Sequence, residues 1–425
     1  FFVPYRLLWD EWEEFITGGD DGEYTATIPT WQPLAAENDI GTLWDYLGFP
    51  VDVDPVGAYP IDFPRNAYNF IYNNYYRDQT LVDEVDLDDS NLKNRAWEKD
   101  YFTSSLPWQQ RGTAPALPIS GQTSAVWAGS QFINQVPSAS AGYGTVGADD
   151  HLYVNDPQGT TNAKSFMDAN TVDLSVASTF DIADLRLAFQ IQRWLERNAR
   201  AGARYTEFLQ AHFKVSPRDE RLDRPEYIGG SKSPIIISEV LQTSETNTSP
   251  QGTLAGHGIT MDSKFVGTYR VKEYGLIMGI MSIMPRSAYS QGIDRQWLRQ
   301  TKYDFFFPEF ANLSEQAILQ SEIWAANTAP ENLTVFGYQG RYDEMRVKRN
   351  QICGEMRALG NFNYWTLGRE FATAPLLNEN FITCVPSKRT FAVQNEDVLI
   401  VTVDNKIKAV RPMPIIAEPG LIDHN

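Results

Sequence analysis

The segments that read most strongly as β-strand are few, short and far apart, which restricts this chain to folds built on non-local pairing. Residues 1–8, 234–242, 265–284 and 397–403 are each rich in β-branched or aromatic side chains and bounded by turn formers. Strands so distant in sequence need long connections. That requirement suits a Greek-key sandwich or jelly roll whose loops have grown into subdomains. The composition agrees: 13% aromatic residues, 24 prolines and 29 glycines in 425 residues favour a β-rich, turn-rich protein over a helical bundle. Length alone leaves room for two or three domains. Regular alternation of strand and helix, as a doubly wound sheet requires, is absent. Short helices are expected at 66–77, 181–211 and 314–327, the last with Ser314 as N-cap and Glu315 in its first turn.

The region 181–213 carries an arginine stripe. At about 100° per residue, Arg186, Arg193, Arg197, Arg200 and Arg204 fall within roughly 40° of one line. Leu187, Ile191, Trp194, Leu195 and Ala199 gather opposite, so one face is expected to be buried and the other basic. The whole chain stands at −18, so nucleic acid would be repelled in bulk and any anionic partner must be met by local patches of this kind. A solvated or ion-paired surface, a nucleic-acid contact and a subunit contact all remain open for the stripe.

Residues 113–148 contain no charged side chain. With aromatics such as Trp127, Phe132 and Tyr143 among Gly, Ser, Ala and Thr, this texture departs from ordinary disorder, and it fits a loop that packs when several copies meet. A flexible linker is the alternative. Gly142, Gly144 and Gly147 spell a dinucleotide-binding pattern, but the following text offers no helix, so the match is accidental. The acidic run 83–91 lacks the glycine and terminal glutamate of a helix-loop-helix calcium site. The four histidines form no metal or nucleophile motif, and Cys353 and Cys384 read as reduced, core-filling thiols. No metal, cofactor or catalytic residue is therefore expected. The apolar run 274–284 is too short for a membrane span of about 20 residues. The opening FFVPYRLLWDEW begins within strand-like text, and a preceding segment is expected.

Five long blocks are distinctive: FFVPYRLLWDEWEEFI at the start, FPRNAYNFIYNNYYRDQ at 63–79, DYFTSSLPWQQRG at 100–112, RPEYIGGSKSPIIISEVLQTS at 224–244 and GRYDEMRVKRNQICGEMR at 340–357. They resemble the major capsid protein of the Microviridae, small single-stranded DNA phages of bacteria, and its gokushovirus branch in particular. Only about 120–179 matches weakly, where that family carries a variable insertion. The resemblance implies a mainly β fold: a single domain over 1–425 built as an eight-stranded antiparallel jelly roll with large loop insertions. It sets an inserted protrusion region at 113–179 and a helical insertion at 181–213, and places the first barrel strand in a further N-terminal region.

The resemblance further implies sixty copies closing a T=1 icosahedral shell through pentamers around a circular single-stranded DNA genome, with no catalysis. Trp127, Phe132 and Tyr143 become candidate threefold contacts within host-facing protrusions. Implied partners are the genome, a small basic DNA-binding virion protein, a scaffolding protein and a host cell-surface receptor. The virion is the expected location, after assembly in the bacterial cytoplasm. Sixty copies at −18 each bring roughly a thousand negative charges around a polyanion, so something basic must line the interior. The stripe and the cluster Arg341, Arg346, Lys348 and Arg349 are candidates. A carbohydrate-binding or carbohydrate-active β-sandwich, suggested by eleven tryptophans and many acids, is the rival reading.

Overall fold

Proline at position 4 ends the first strand almost as it begins, because its nitrogen has no hydrogen to give a ladder. The structure is a computed structural model, and it describes residues 1–20, 22–115, 144–146, 152–154, 182–241, 254–391, 394–395 and 397–412. Its strands are β1 (Phe2–Pro4), β2 (Gly144–Val146), β3 (Leu152–Val154), β4 (Ile237–Leu241), β5 (Leu254–Gly258), β6 (Gly275–Ile277), β7 (Glu315–Leu319) and β8 (Val335–Gly340). The helices are α1 (Trp12–Thr17), α2 (Leu43–Tyr46), α3 (Phe63–Ile71), α4 (Ile182–Ala201), α5 (Tyr205–Phe213), α6 (Gln320–Ile323), α7 (Ala329–Asn332) and α8 (Glu379–Ile382).

The strands stand in four separate antiparallel pairs, β1 with β6, β2 with β3, β4 with β5 and β7 with β8. Among the described residues they do not join into an eight-stranded barrel. In the first pair Phe2 faces Ile277 and Pro4 faces Gly275, where a Cβ would fall 2.5 Å from the Val3 carbonyl oxygen, so only glycine lets the strands meet. The expected strand at 265–284 is paired only over β6, and 397–403 forms no ladder among the described residues. Gly144, of the accidental glycine pattern, opens β2 of a hairpin.

Loops and short helices supply the core instead of sheet faces. Phe63, Ala67 and Ile71 line one side of α3 at helical spacing and bury against Val3, Leu8 and Trp12. Pro64 sits in the first turn of that helix, where its missing N–H costs nothing. A second cluster joins Trp31, Leu43 and Trp44. The polar side of α3 and the helical turn that follows it, Tyr72–Tyr76, bind the acidic run. Asn69 Nδ2 donates to the carbonyls of Leu87 at 2.8 Å and Asp89 at 2.7 Å, while Asn73 exchanges hydrogen bonds with the Val85 backbone at 2.7 and 3.0 Å. Among the described residues no group of His, Cys, Asp or Glu is arranged to hold a metal, and no helix is long and apolar enough to cross a membrane. Cys384 is buried, which pushes its thiol up to about 11, whereas Cys353 is exposed and fills no core.

The third cluster, around Tyr101, Phe102, Ile318, Ile323, Phe336 and Phe381, overturns the helix expected at 314–327. Residues 315–319 have helical propensity, yet they form β7, because pairing with β8 buries Ile318 and places Glu322 in the core. Only α6, a single turn, remains of the helix. Glu322 is 0% exposed. Its carboxylate accepts from Arg295 at 2.8 Å, Tyr101 Oη at 3.0 Å and the Leu319 amide at 3.0 Å. Gly292 passes so close that a Cβ there would lie 2.1 Å from the Glu322 carbonyl oxygen.

Burial pushes the Glu322 carboxyl above its ordinary 4.5, against the opposing charge of Arg295. A raised folded value means its contribution to stability is complete below that ordinary value and is lost as pH rises through the folded one. Glu322→Gln should therefore flatten this part of the pH–stability profile. Arg295→Ala, which leaves the carboxylate buried and unpaired, should cost about 3–5 kcal/mol in denaturant unfolding of the protomer. An unchanged profile in the first variant and a cost under about 1 kcal/mol in the second would show that the pair does not organise this core.

Candidate assembly interface

A run of strong helix formers carries α4 to Ala201, and Gly202 stops it in the left-handed conformation at φ 99°. A side chain at Gly202 would also collide with Glu207, whose carboxylate accepts from the Arg204 amide at 3.1 Å and so caps α5. The expected helical insertion is thus two helices. They are joined by Asn198, whose Oδ1 lies 2.6 Å from His212 Nε2, and by the Trp194 ring 6.0 Å from that of His212. Leu195 packs inward near Gly112, Ala199 is buried, and Gln192 hydrogen-bonds Gln110.

Only two of the five residues of the anticipated apolar face are buried. Leu195 and Ala199 are, together with Asn198, but Leu187 is 59% exposed, Trp194 49% and Ile191 also exposed. Phe189, beside the arginines, is 65% exposed. The reason is local: the body beneath α4 reaches only its C-terminal half, through Gln110, Arg111 and Glu315.

The arginine stripe divides in the same way. Arg200 Nε lies 2.7 Å from the buried carboxylate of Glu315 at the start of β7. Arg204 pairs with Glu207 at 3.3 Å and donates to the Arg77 carbonyl at 3.0 Å. Arg186, Arg193 and Arg197 are exposed and have no ion pair among the described residues. Burial raises the Glu315 carboxyl even though Arg200 opposes the shift. Glu315 lies over a hundred residues from Arg200, and no signal in the sequence joins them. The second basic cluster is mostly spent inside the protomer. Arg341 donates to the Tyr303 carbonyl, Arg346 pairs with Asp343 at 2.9 Å and Arg349 with Asp294 at 3.3 Å, which leaves Lys348 exposed. Trp127, Phe132 and Tyr143 lie outside the described residues, as does most of 113–179.

An exposed helix end bearing free arginines and uncovered aromatics, on a body held by loops, has the anatomy of a structural subunit that meets other molecules across a broad surface. Comparison with known proteins identifies that class further. The family model for "Capsid protein (F protein)" matches residues 1–421, and the chain belongs to that family as a major capsid protein of the Microviridae, on the gokushovirus branch. It is 32% identical to capsid protein VP1 of Chlamydia phage 1, over 99% of this chain and 85% of that protein. Capsid protein VP1 of Bdellovibrio phage phiMH2K is 34% identical over 93% of this chain and 79% of its own length. VP1 of Spiroplasma virus 4 is 29% identical over 99% and 84% respectively.

The protein is a structural component of a virion that assembles with itself into a shell. Its relatives are capsid proteins and not enzymes, which displaces the carbohydrate-directed reading.

The two fates of the stripe separate by substitution. Arg200→Gln should destabilise the dissociated protomer by about 1–3 kcal/mol, because it strands the Glu315 carboxylate. Arg193→Gln and Arg197→Gln should each stay within about 0.5 kcal/mol in the same denaturant titration. Equal effects at all three positions would mean that Arg200 is as solvated as the others.

Proposed function

We propose that sixty copies of this protein close a T=1 icosahedral shell through pentamers around a circular single-stranded DNA genome. An eight-stranded antiparallel jelly roll forms the wall, and the insertion at 113–179 forms threefold protrusions, with Trp127, Phe132 and Tyr143 as contacts, that meet a host cell-surface receptor. Assembly takes place in the bacterial cytoplasm with a scaffolding protein, and a small basic virion protein shares the neutralisation of the genome.

The observation that carries this reading is apolar, strand-like surface left uncovered in the protomer. Ile400, Val403, Ile407 and Val410 are all strongly exposed along 397–412, a segment whose 397–403 portion has strand composition and no ladder among the described residues. Isolated apolar residues are ordinary on a surface, but a run of exposed β-branched side chains with strand composition offers a pairing surface to another chain. Capsid-family membership supports another copy as that chain. Net charge supports the remaining partners, since a shell at −18 per copy must be neutralised before it can enclose a polyanion.

Purified particles should sediment as a multi-megadalton species, appear as T=1 shells in micrographs and protect circular single-stranded DNA from nuclease. A protein that stays a small oligomer under all assembly conditions contradicts the reading. Deleting 120–170 should leave the remaining body foldable, remove the protrusions and impair infection. Failure of that variant to fold as a protomer would place the segment in the core.

A further inference from the structure

Between Arg6 and Arg65 the chain has no lysine, arginine or histidine, while acids recur throughout. Three loops gather acids from this stretch and from the run 83–91 into one patch. Asn38 Nδ2 donates to the Val53 carbonyl at 3.0 Å and the Asp52 amide to the Asn38 carbonyl at 3.0 Å, which sets Asp39 beside Asp52 and Asp54. Ser90 Oγ donates to Glu37 at 2.7 Å, which brings in Asp86 and Asp88. Asp39, Asp52, Asp54, Asp86 and Asp88 are all exposed. The neighbouring cations are committed elsewhere, Arg65 to the buried Asp62 and Lys93 to Asp89 at 2.6 Å. Apolar side chains lie within the patch: Ile40 and Val56 are each 76% exposed, and Leu34 is close behind.

This patch is the counterpart of the free face of α4 in both charge and character. One surface presents carboxylates around Leu34, Ile40 and Val56. The other presents Arg186, Arg193 and Arg197 with Phe189 beside them and Leu187 and Trp194 exposed on the flank toward the apolar side. No ion pair among the described residues joins the two within a protomer.

We infer that the free face of α4 docks on the acidic patch of a second copy of this chain. This rests on the reading of the protein as a many-copy shell and names one contact that builds it. Because the two surfaces differ, the contact is head-to-tail, the kind that closes rings when the rotation between copies allows. Burying the apolar side chains supplies the attraction, and the opposed charges set register and exclude wrong pairings. The arginines favour an acidic protein surface over DNA here because the apolar side chains around them on α4 have matching apolar neighbours on the patch.

Charge reversal tests this. Arg193→Glu with Arg197→Glu, and separately Asp52→Arg with Asp54→Arg, should each lower the yield of assembled particles at least tenfold while leaving the protomer's circular dichroism unchanged. The four substitutions together should return the yield to within about twofold of the parent. Normal assembly of either pair, or no recovery in the combined variant, overturns the inference. So does normal shell yield with depleted DNA in the α4 variant, which would assign the face to the genome. Should the unaltered protein form no shell, the shell reading fails on its own, and docking is read by Arg193→Cys with Asp54→Cys in a Cys353→Ser background. A short bismaleimide should then link copies into ladders, and their absence overturns the inference.

Discussion

One buried carboxylate, that of Glu322, fixes the meeting of segments that the sequence keeps far apart. Removing a carboxylate from water costs several kcal/mol, so it is tolerated only where donors converge on it. The donors here come from positions 101, 295 and 319, and Arg349 adds a hydrogen bond at 3.0 Å to the Glu322 carbonyl. An ion pair of this kind adds little net stability against an apolar replacement. Its effect is on specificity, because any other arrangement of these loops would leave the charge unpaired.

The same economy runs through the rest of the protein. Sheets this small leave many backbone carbonyls without ladder partners, and a buried carbonyl must find a donor. Arginine supplies it. Arg389 donates to the carbonyls of Thr366 at 2.7 Å and Gly368 at 2.6 Å, Arg369 to that of Phe381 at 2.6 Å, and Arg295 to that of Ala317 at 2.6 Å. Arg369 also lies 3.9 Å over the Phe381 ring, so the guanidinium serves as a spacer between aromatic side chains as well as a donor. In a chain at −18, most arginines are thus structural cross-links. Arg186, Arg193 and Arg197 on α4 are among those left exposed without an ion pair among the described residues.

A capsid subunit carries a stability problem that a free-standing domain does not have, since surfaces meant for neighbours must stay soluble until they meet. The protomer intersperses charge with uncovered apolar side chains: arginines beside Phe189, aspartates beside Ile40 and Val56. In the docking proposed above, like surfaces repel and unlike ones attract, so the same distribution would keep protomers apart and select their partners.

The sequence by itself determined what depends on near neighbours. A helix overlapping the expected 66–77, the helix bearing the arginine stripe and the strand within 234–242 are legible because periodicity and spacing are local signals. Long idiosyncratic blocks likewise carried the capsid family. Tertiary structure alone decided the outcome wherever a distant partner outweighs local preference. Residues 314–319 read as helix until β8 offers Ile318 a buried ladder, and Arg200 reads as one of five equivalent arginines until Glu315 is brought to 2.7 Å. Leu187, Ile191 and Trp194 share a face with Leu195 and Ala199 by periodicity, and only the extent of the body beneath α4 separates the covered from the uncovered. Periodicity says which side of a helix is apolar; what covers it is settled by the shape of everything else.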